Sequence, residues 1–231
     1  CSGLRMLCQD QFALVKQVYS SYDMIVIELF THFIGIVGNY MSTTLLNYPH
    51  DLGRNLKTGS IYVADYASHR IVDFQCNISA STTIIGQNGG GTNYNQLLSP
   101  IASYFDVFTN SFLIANAGTH RIVRWALNAS NWTLVAGKIN GAPGSLSTEL
   151  SFPTDVELDP MGNMYVADRY NHRIQFFVPD QLNGQTILGT TGISGSNSTL
   201  LNNPISLVFD GQLNLYVIDL NNYRVQKFLR Y

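Results

Sequence analysis

Three histidines, His69, His120 and His172, recur 51 and 52 residues apart. Three imidazoles suffice to hold a zinc ion that activates water. His50, with Asp51 beside it and Asp155 further on, would add carboxylates to such a centre. Adjacency of residue types alone does not define one. A second series is acidic: Asp65, Asp168 and Asp219 each have an arginine five residues later, Arg70, Arg173 and Arg224. A carboxylate that always travels with an arginine reads as a structural ion pair before it reads as an acid or base. The stretch Gly86–Thr92, GQNGGGT, resembles a phosphate loop but lacks the Gly-Lys-Ser/Thr ending. No Gly-x-Ser-x-Gly elbow occurs. The sequence therefore assigns no catalytic residue, no metal ligand and no cofactor.

The elements that must carry these residues are tandem copies of one unit. MYVADRYNHRIQFF (Met164–Phe177) has counterparts at Ile61–Phe74, Phe112–Trp125 and Leu215–Phe228. Their anchors, Asp65, Asn116, Asp168 and Asp219, lie 51, 52 and 51 residues apart, a period that signals a repeat architecture. Within each copy an apolar, β-branched run predicts a strand, and four turn residues lead to an arginine that opens a second strand. Upstream, Pro49, Pro100, Pro153 and Pro204 keep the same period. Proline fits just outside a strand, where no ladder donor is lost. One unit therefore reads as four strands, with strand A after the proline, B and C flanking the turn, and D before the next glycine-rich loop.

The quoted copies resemble the NHL repeat. His69-Arg70-Ile71, His120-Arg121-Ile122 and His172-Arg173-Ile174 match its Arg-Ile core, and the last copy departs to Tyr223-Arg224-Val225. Asn116 stands where the motif has aspartate, so Arg121 has no charged partner at that position. The resemblance spans roughly residues 38–231. It implies an all-β propeller of four NHL-type, four-stranded blades, part of a larger propeller of about six. Blades are expected near residues 38–86, 87–137, 138–189 and 190–231, within a domain over 24–231 that follows an irregular segment, 1–23. In a propeller the B–C turns lie away from the inner strands, which places the three histidines in structural roles on separate turns. The polar stretch His50–Ser60 predicts a frayed or missing strand A in the first blade. The fourth copy stops after strand C, and Phe33–Val37 reads as a D-like strand that closes the ring or belongs to a preceding blade.

Composition limits the function classes. The net charge is −2, with no run of lysine or arginine, so no nucleic-acid footprint is visible. Met24–Gly38 is apolar but too short, and too polar at Glu28 and His32, to span a bilayer. No transmembrane segment is expected. Cys1, Cys8 and Cys76 form no metal-ligand spacing, and an initial cysteine suggests a processed chain or a fragment. Sequons at Asn77, Asn128, Asn131 and Asn197 mark candidate glycosylation sites, and point to an extracellular or secreted chain. Of the neighbours Asn128 and Asn131, at most one is expected to carry a glycan.

The expected function is a non-enzymatic scaffold that binds a protein or small ligand through loops on a propeller face. The alternative is a metal-assisted lyase or hydrolase similar to the NHL-type peptide-amidating lyase. RNA binding, known among NHL proteins, ranks last because the basic surface is missing.

Overall fold

The computed structural model describes residues 46–55, 57–75 and 81–229. Blade 1 comprises β1 (Pro49–Arg54), β2 (Ile61–Asp65), β3 (Arg70–Phe74) and β4 (Ser81–Ile85). Blade 2 comprises β5 (Pro100–Asp106), β6 (Ser111–Asn116), β7 (Arg121–Ala126) and β8 (Thr133–Gly137). Blade 3 comprises β9 (Pro153–Leu158), β10 (Met164–Asp168), β11 (Arg173–Phe177) and β12 (Gln185–Gly189). Blade 4 comprises β13 (Pro204–Phe209), β14 (Leu215–Asp219) and β15 (Arg224–Phe228). Each blade is an antiparallel meander, and together they form a β-propeller. Three blades have four strands and the fourth has three among the described residues, ending after strand C as the sequence indicates.

Because successive side chains of a strand point to opposite faces, the buried strands B of blades 1, 2 and 3 have both faces covered. Tyr62 and Ala64 pack with Phe105, Phe112 and Ile114 across the joint between blades 1 and 2. Leu113 and Ala115, on the other face of β6, pack with Val156, Met164 and Val166 of blade 3. Ala167 and Ile174 meet Leu207, Leu215 and Val217 of blade 4. Burying each Val, Leu, Ile, Met or Phe side chain of these joints is worth about 1.5–3 kcal/mol.

The expectation of a lost strand A in blade 1 is corrected. β1 pairs with β2 from Asp51 opposite Ala64 to Arg54 opposite Ile61. Its polar side chains suit an innermost strand because they have partners there: Asp51 Oδ2 accepts the Ser103 N–H of blade 2 at 3.0 Å. Gly53 leaves room for the Ser103 carbonyl, which a Cβ would meet at 3.0 Å. In all four blades the A–B register slips one residue at the start of strand A. Such a bulge re-aims a side chain. In blade 1 the bulged residue is His50, whose ring packs edge-on against Tyr66 at 4.8 Å.

Phe33–Val37, the segment 1–23, Cys1, Cys8, Cys76 and Asn77 lie outside the described residues. No helix among the described residues is long and apolar enough to cross a membrane.

Candidate functional site

Strand B ends on the motif Asp or Asn, a short 3-10 turn follows, and the arginine opens strand C directly opposite, as in Asp168 facing Arg173. In blade 3, Asp168 Oδ1 accepts the Ser151 N–H at 2.7 Å, and Oδ2 accepts Arg173 Nε and Asn171 Nδ2, each at 2.8 Å. Burial pushes the Asp168 carboxyl up, and Asn171, Ser151 and Arg173 act against that push. The outer nitrogens of Arg173 donate to the carbonyls of Ser145, Leu146 and Glu149, in the loop that enters its own blade. Blade 4 repeats the scheme, with Arg224 Nε on Asp219 Oδ2 at 2.9 Å and its Nη atoms on the carbonyls of Ser196, Asn197 and Leu200. In blade 1, Arg70 Nε reaches Asp65 Oδ2 at 2.8 Å, and Asp65 Oδ1 accepts the Asn47 N–H.

Blade 2 solves the same problem without a charge pair. Asn116 Oδ1 still accepts the Leu98 N–H at 2.7 Å. Arg121, fully buried, turns its Nε to Thr119 Oγ1 and its Nη atoms to the carbonyls of Ile139 and Thr92. Its guanidinium also lies 4.3 Å over the Trp132 ring.

The histidines complete the joint in the other direction. His69, His120 and His172 sit in the left-handed region at φ 58°, 52° and 54°, which histidine tolerates better than most residues. Each Nδ1 accepts a backbone N–H of the following blade: Ser99 at 3.0 Å, Phe152 at 3.0 Å and Asn203 at 3.1 Å. With Nδ1 accepting, the neutral ring carries its proton on Nε2. Burial lowers the pKa of His120 and of His172, the latter against the opposing pull of Asp219. Sequence reading placed these histidines on turns and missed the bond between blades. The available signal was their recurrence at the one position where the last copy has Tyr223. That tyrosine is 95% exposed.

The carboxylates of strand A do similar work. Asp155 Oδ2 accepts Ser206 Oγ at 2.8 Å and the Leu207 N–H at 2.9 Å, both in blade 4. Asp51 and Asp155 thus stitch different blade joints and do not converge with His50. Among the described residues no group of three His, Cys, Asp or Glu side chains is placed to hold a metal. Of the sequon asparagines, Asn197 is exposed and its Oδ1 accepts both the N–H and the hydroxyl of Thr199. Asn128 and Asn131 are exposed on the turn between β7 and β8.

The residues before each proline and the B–C turns share one end of every blade, because Pro49, Pro100, Pro153 and Pro204 pair with Asp65, Asn116, Asp168 and Asp219. The side chains on this turn face differ from blade to blade. Blade 1 brings Tyr48, 66% exposed, and the His50–Tyr66 pair. Blade 3 brings Phe152 stacked on Tyr170 at 4.9 Å, with the Arg169 guanidinium 5.4 Å from the tyrosine ring. Blade 2, between them, presents the small residues Ser99 and Gly118, and its Ala117 is fully buried. The turn face therefore carries aromatic rings at blades 1 and 3.

Comparison with known proteins agrees with this architecture. The NHL repeat profile matches residues 46–74 and 150–177. The NHL repeat-containing protein 2 of Bos taurus is 37% identical over 98 residues, covering 39% of this chain and 13% of that protein. Among solved structures, a Bacteroides thetaiotaomicron protein aligns with a TM-score of 0.63 at 12% identity, over 76% of this chain and 46% of its own. An auxiliary nutrient binding protein of Bacteroides ovatus aligns at 0.61 and 17%, over 79% and 48%. A gluconolactonase of Xanthomonas campestris aligns at 0.61 and 13%, over 80% and 59%. These identities speak for the fold alone. The chain spans about half the length of these solved structures and a smaller share of the curated relative.

Proposed function

We propose that this chain, in which two blades match the NHL repeat profile, is a non-enzymatic scaffold that binds a protein or other ligand on its turn face. One observation carries the reading. The chemistry-bearing residues of the motif are consumed in the joints: aspartates and arginines hold the entering loops, and histidine Nδ1 atoms hold the next blade. What varies between blades is the set of side chains on a rigid face, and that arrangement suits recognition. Aromatic side chains on that face supply contact area at low entropic cost.

The test is site-specific photo-cross-linking. A photoactivatable residue at Tyr170, on the turn face, is compared with one at Gly211, on the A–B turn at the opposite end. The reading expects a partner captured at position 170, absent at 211, and lost when Phe152→Ala removes the stacked ring. Metal-dependent turnover by the purified chain overturns it.

The setting we infer is extracellular, motivated by the exposed sequon at Asn197. Expression through a secretory pathway followed by glycosidase digestion checks it. A chain whose mass does not change on digestion removes the support.

A further inference from the structure

A cleft of about 460 Å³ opens at the outer rim between blades 1 and 2. One wall is the outermost strand β4 and the loop after it, and the other is the turn between β7 and β8. Five carboxamides line it: Gln87, Asn88, Asn95, Asn128 and Asn131. Among the described residues lining it there is no Lys, Arg, His, Asp or Glu. Ile84, Leu127 and Trp125 form its apolar part.

The polar groups are only partly committed. Gln87 Nε2 donates to the Thr83 carbonyl at 2.7 Å, and Asn88 Nδ2 to the Asn95 carbonyl at 3.3 Å. Trp125 Nε1 is held by the Ala129 carbonyl at 2.9 Å. The side chains of Asn95, Asn128, Ser130 and Asn131 form no hydrogen bond with another described residue, which leaves donors and acceptors facing solvent in one place.

We propose that this cleft binds a neutral saccharide of one or two rings. The volume falls in the range of small-molecule sites. Without a fixed charge the cleft has nothing to compensate an anion or a cation, so charged ligands lose solvation there without repayment. A carboxamide offers two donors and an acceptor together. A sugar hydroxyl is also donor and acceptor at once, so a cluster of carboxamides matches a row of hydroxyls without either side leaving a group unpaired. The C–H faces of the sugar ring meet the apolar part. The cleft lies on the outer rim, apart from the turn face, so binding there neither requires nor supplies a partner at Phe152 and Tyr170.

The chain has two tryptophans, Trp125 and Trp132, and both belong to the outer hairpin of blade 2, so intrinsic emission reports on this site. The full chain is made in a host without N-glycosylation, because a glycan on Asn128 or Asn131 would fill the cleft. Maltose, cellobiose, lactose and N,N′-diacetylchitobiose are titrated up to roughly 10 mM, high enough to detect millimolar binding. Glucose 6-phosphate and glucuronate serve as charged probes. The proposal expects a saturable emission change with at least one neutral sugar. It expects that response to weaken about tenfold, 1.4 kcal/mol, in Asn95→Ala/Asn131→Ala, with the thermal unfolding curve unchanged. No response to any neutral probe overturns it. So does a response that the double substitution leaves intact, or one matched by the charged probes.

Discussion

Replacing Asp168 tests the joint chemistry most directly. Its carboxylate is fully buried and accepts three hydrogen bonds, from Ser151, Asn171 and Arg173. Asp168→Ala strands all three donors and leaves the guanidinium of Arg173, whose side chain is 3% exposed, without its counter-charge. Breaking a buried pair from one side costs about 3–5 kcal/mol. For a chain of this size that is a fall in Tm of roughly 6–20 °C. Asp168→Asn is the informative contrast, because blade 2 already works with Asn116 at this position. The amide oxygen keeps the Ser151 N–H, and Arg173 keeps its three loop carbonyls. The amide nitrogen that replaces Oδ2 is a donor facing Arg173 Nε and Asn171 Nδ2, so those two bonds are lost as they are in the alanine variant. The retained Ser151 bond makes the asparagine variant the milder of the two, by about 0.5–1.5 kcal/mol. Urea unfolding followed by far-UV circular dichroism measures both, with stability read from the midpoint at constant slope. A cost below about 1 kcal/mol for the alanine variant, or equal costs for alanine and asparagine, would refute the assignment of Asp168 as the buried anchor of this joint.

The histidine bonds predict an acid-labile molecule. Burial depresses the pKa of His120 and His172. A depressed histidine stabilises the fold fully above its unfolded value, near 6.5, and that contribution is lost as pH falls through the folded value. Protonated Nδ1 would also face a backbone N–H as donor against donor. Melting temperature should therefore fall from pH 7 to pH 5 more steeply in the wild type than in His120→Asn/His172→Asn, since asparagine keeps an acceptor and tolerates the left-handed backbone; identical slopes exclude the mechanism. Gly189→Ala should destabilise by more than about 1 kcal/mol, because φ is +78° and a Cβ would run into the His172 carbonyl; an unchanged urea midpoint contradicts this. Val225 in blade 4 is 63% exposed, whereas Ile174, its counterpart in blade 3, is fully buried against the next blade. Val225→Lys should therefore reduce self-association in sedimentation velocity, and a monomeric wild type removes the basis for that expectation.

The sequence alone determined the repeat, and through it the propeller. A unit of about 51 residues that cannot bury its own sheet faces must stack on neighbours. The unbroken apolar run Tyr62-Val63-Ala64 suits a strand covered on both faces, as it is here. The pairing of Asp168 with Arg173 was legible for the same reason, since residues five apart across a tight turn meet by local geometry. The polarity of His50–Ser60 misled, because local pattern does not show that Asp51 finds its partner 52 residues away. Only the tertiary structure decided the bonds from His120 Nδ1 to Phe152 and from Asp155 to Leu207, the diversion of Arg121 onto Thr119 and Trp132, the grouping of carboxamides at the rim, and the bareness of Val225. All of these depend on how one blade is rotated against the next. That angle is set by side-chain packing between sheets, which the periodicity of a single strand does not encode.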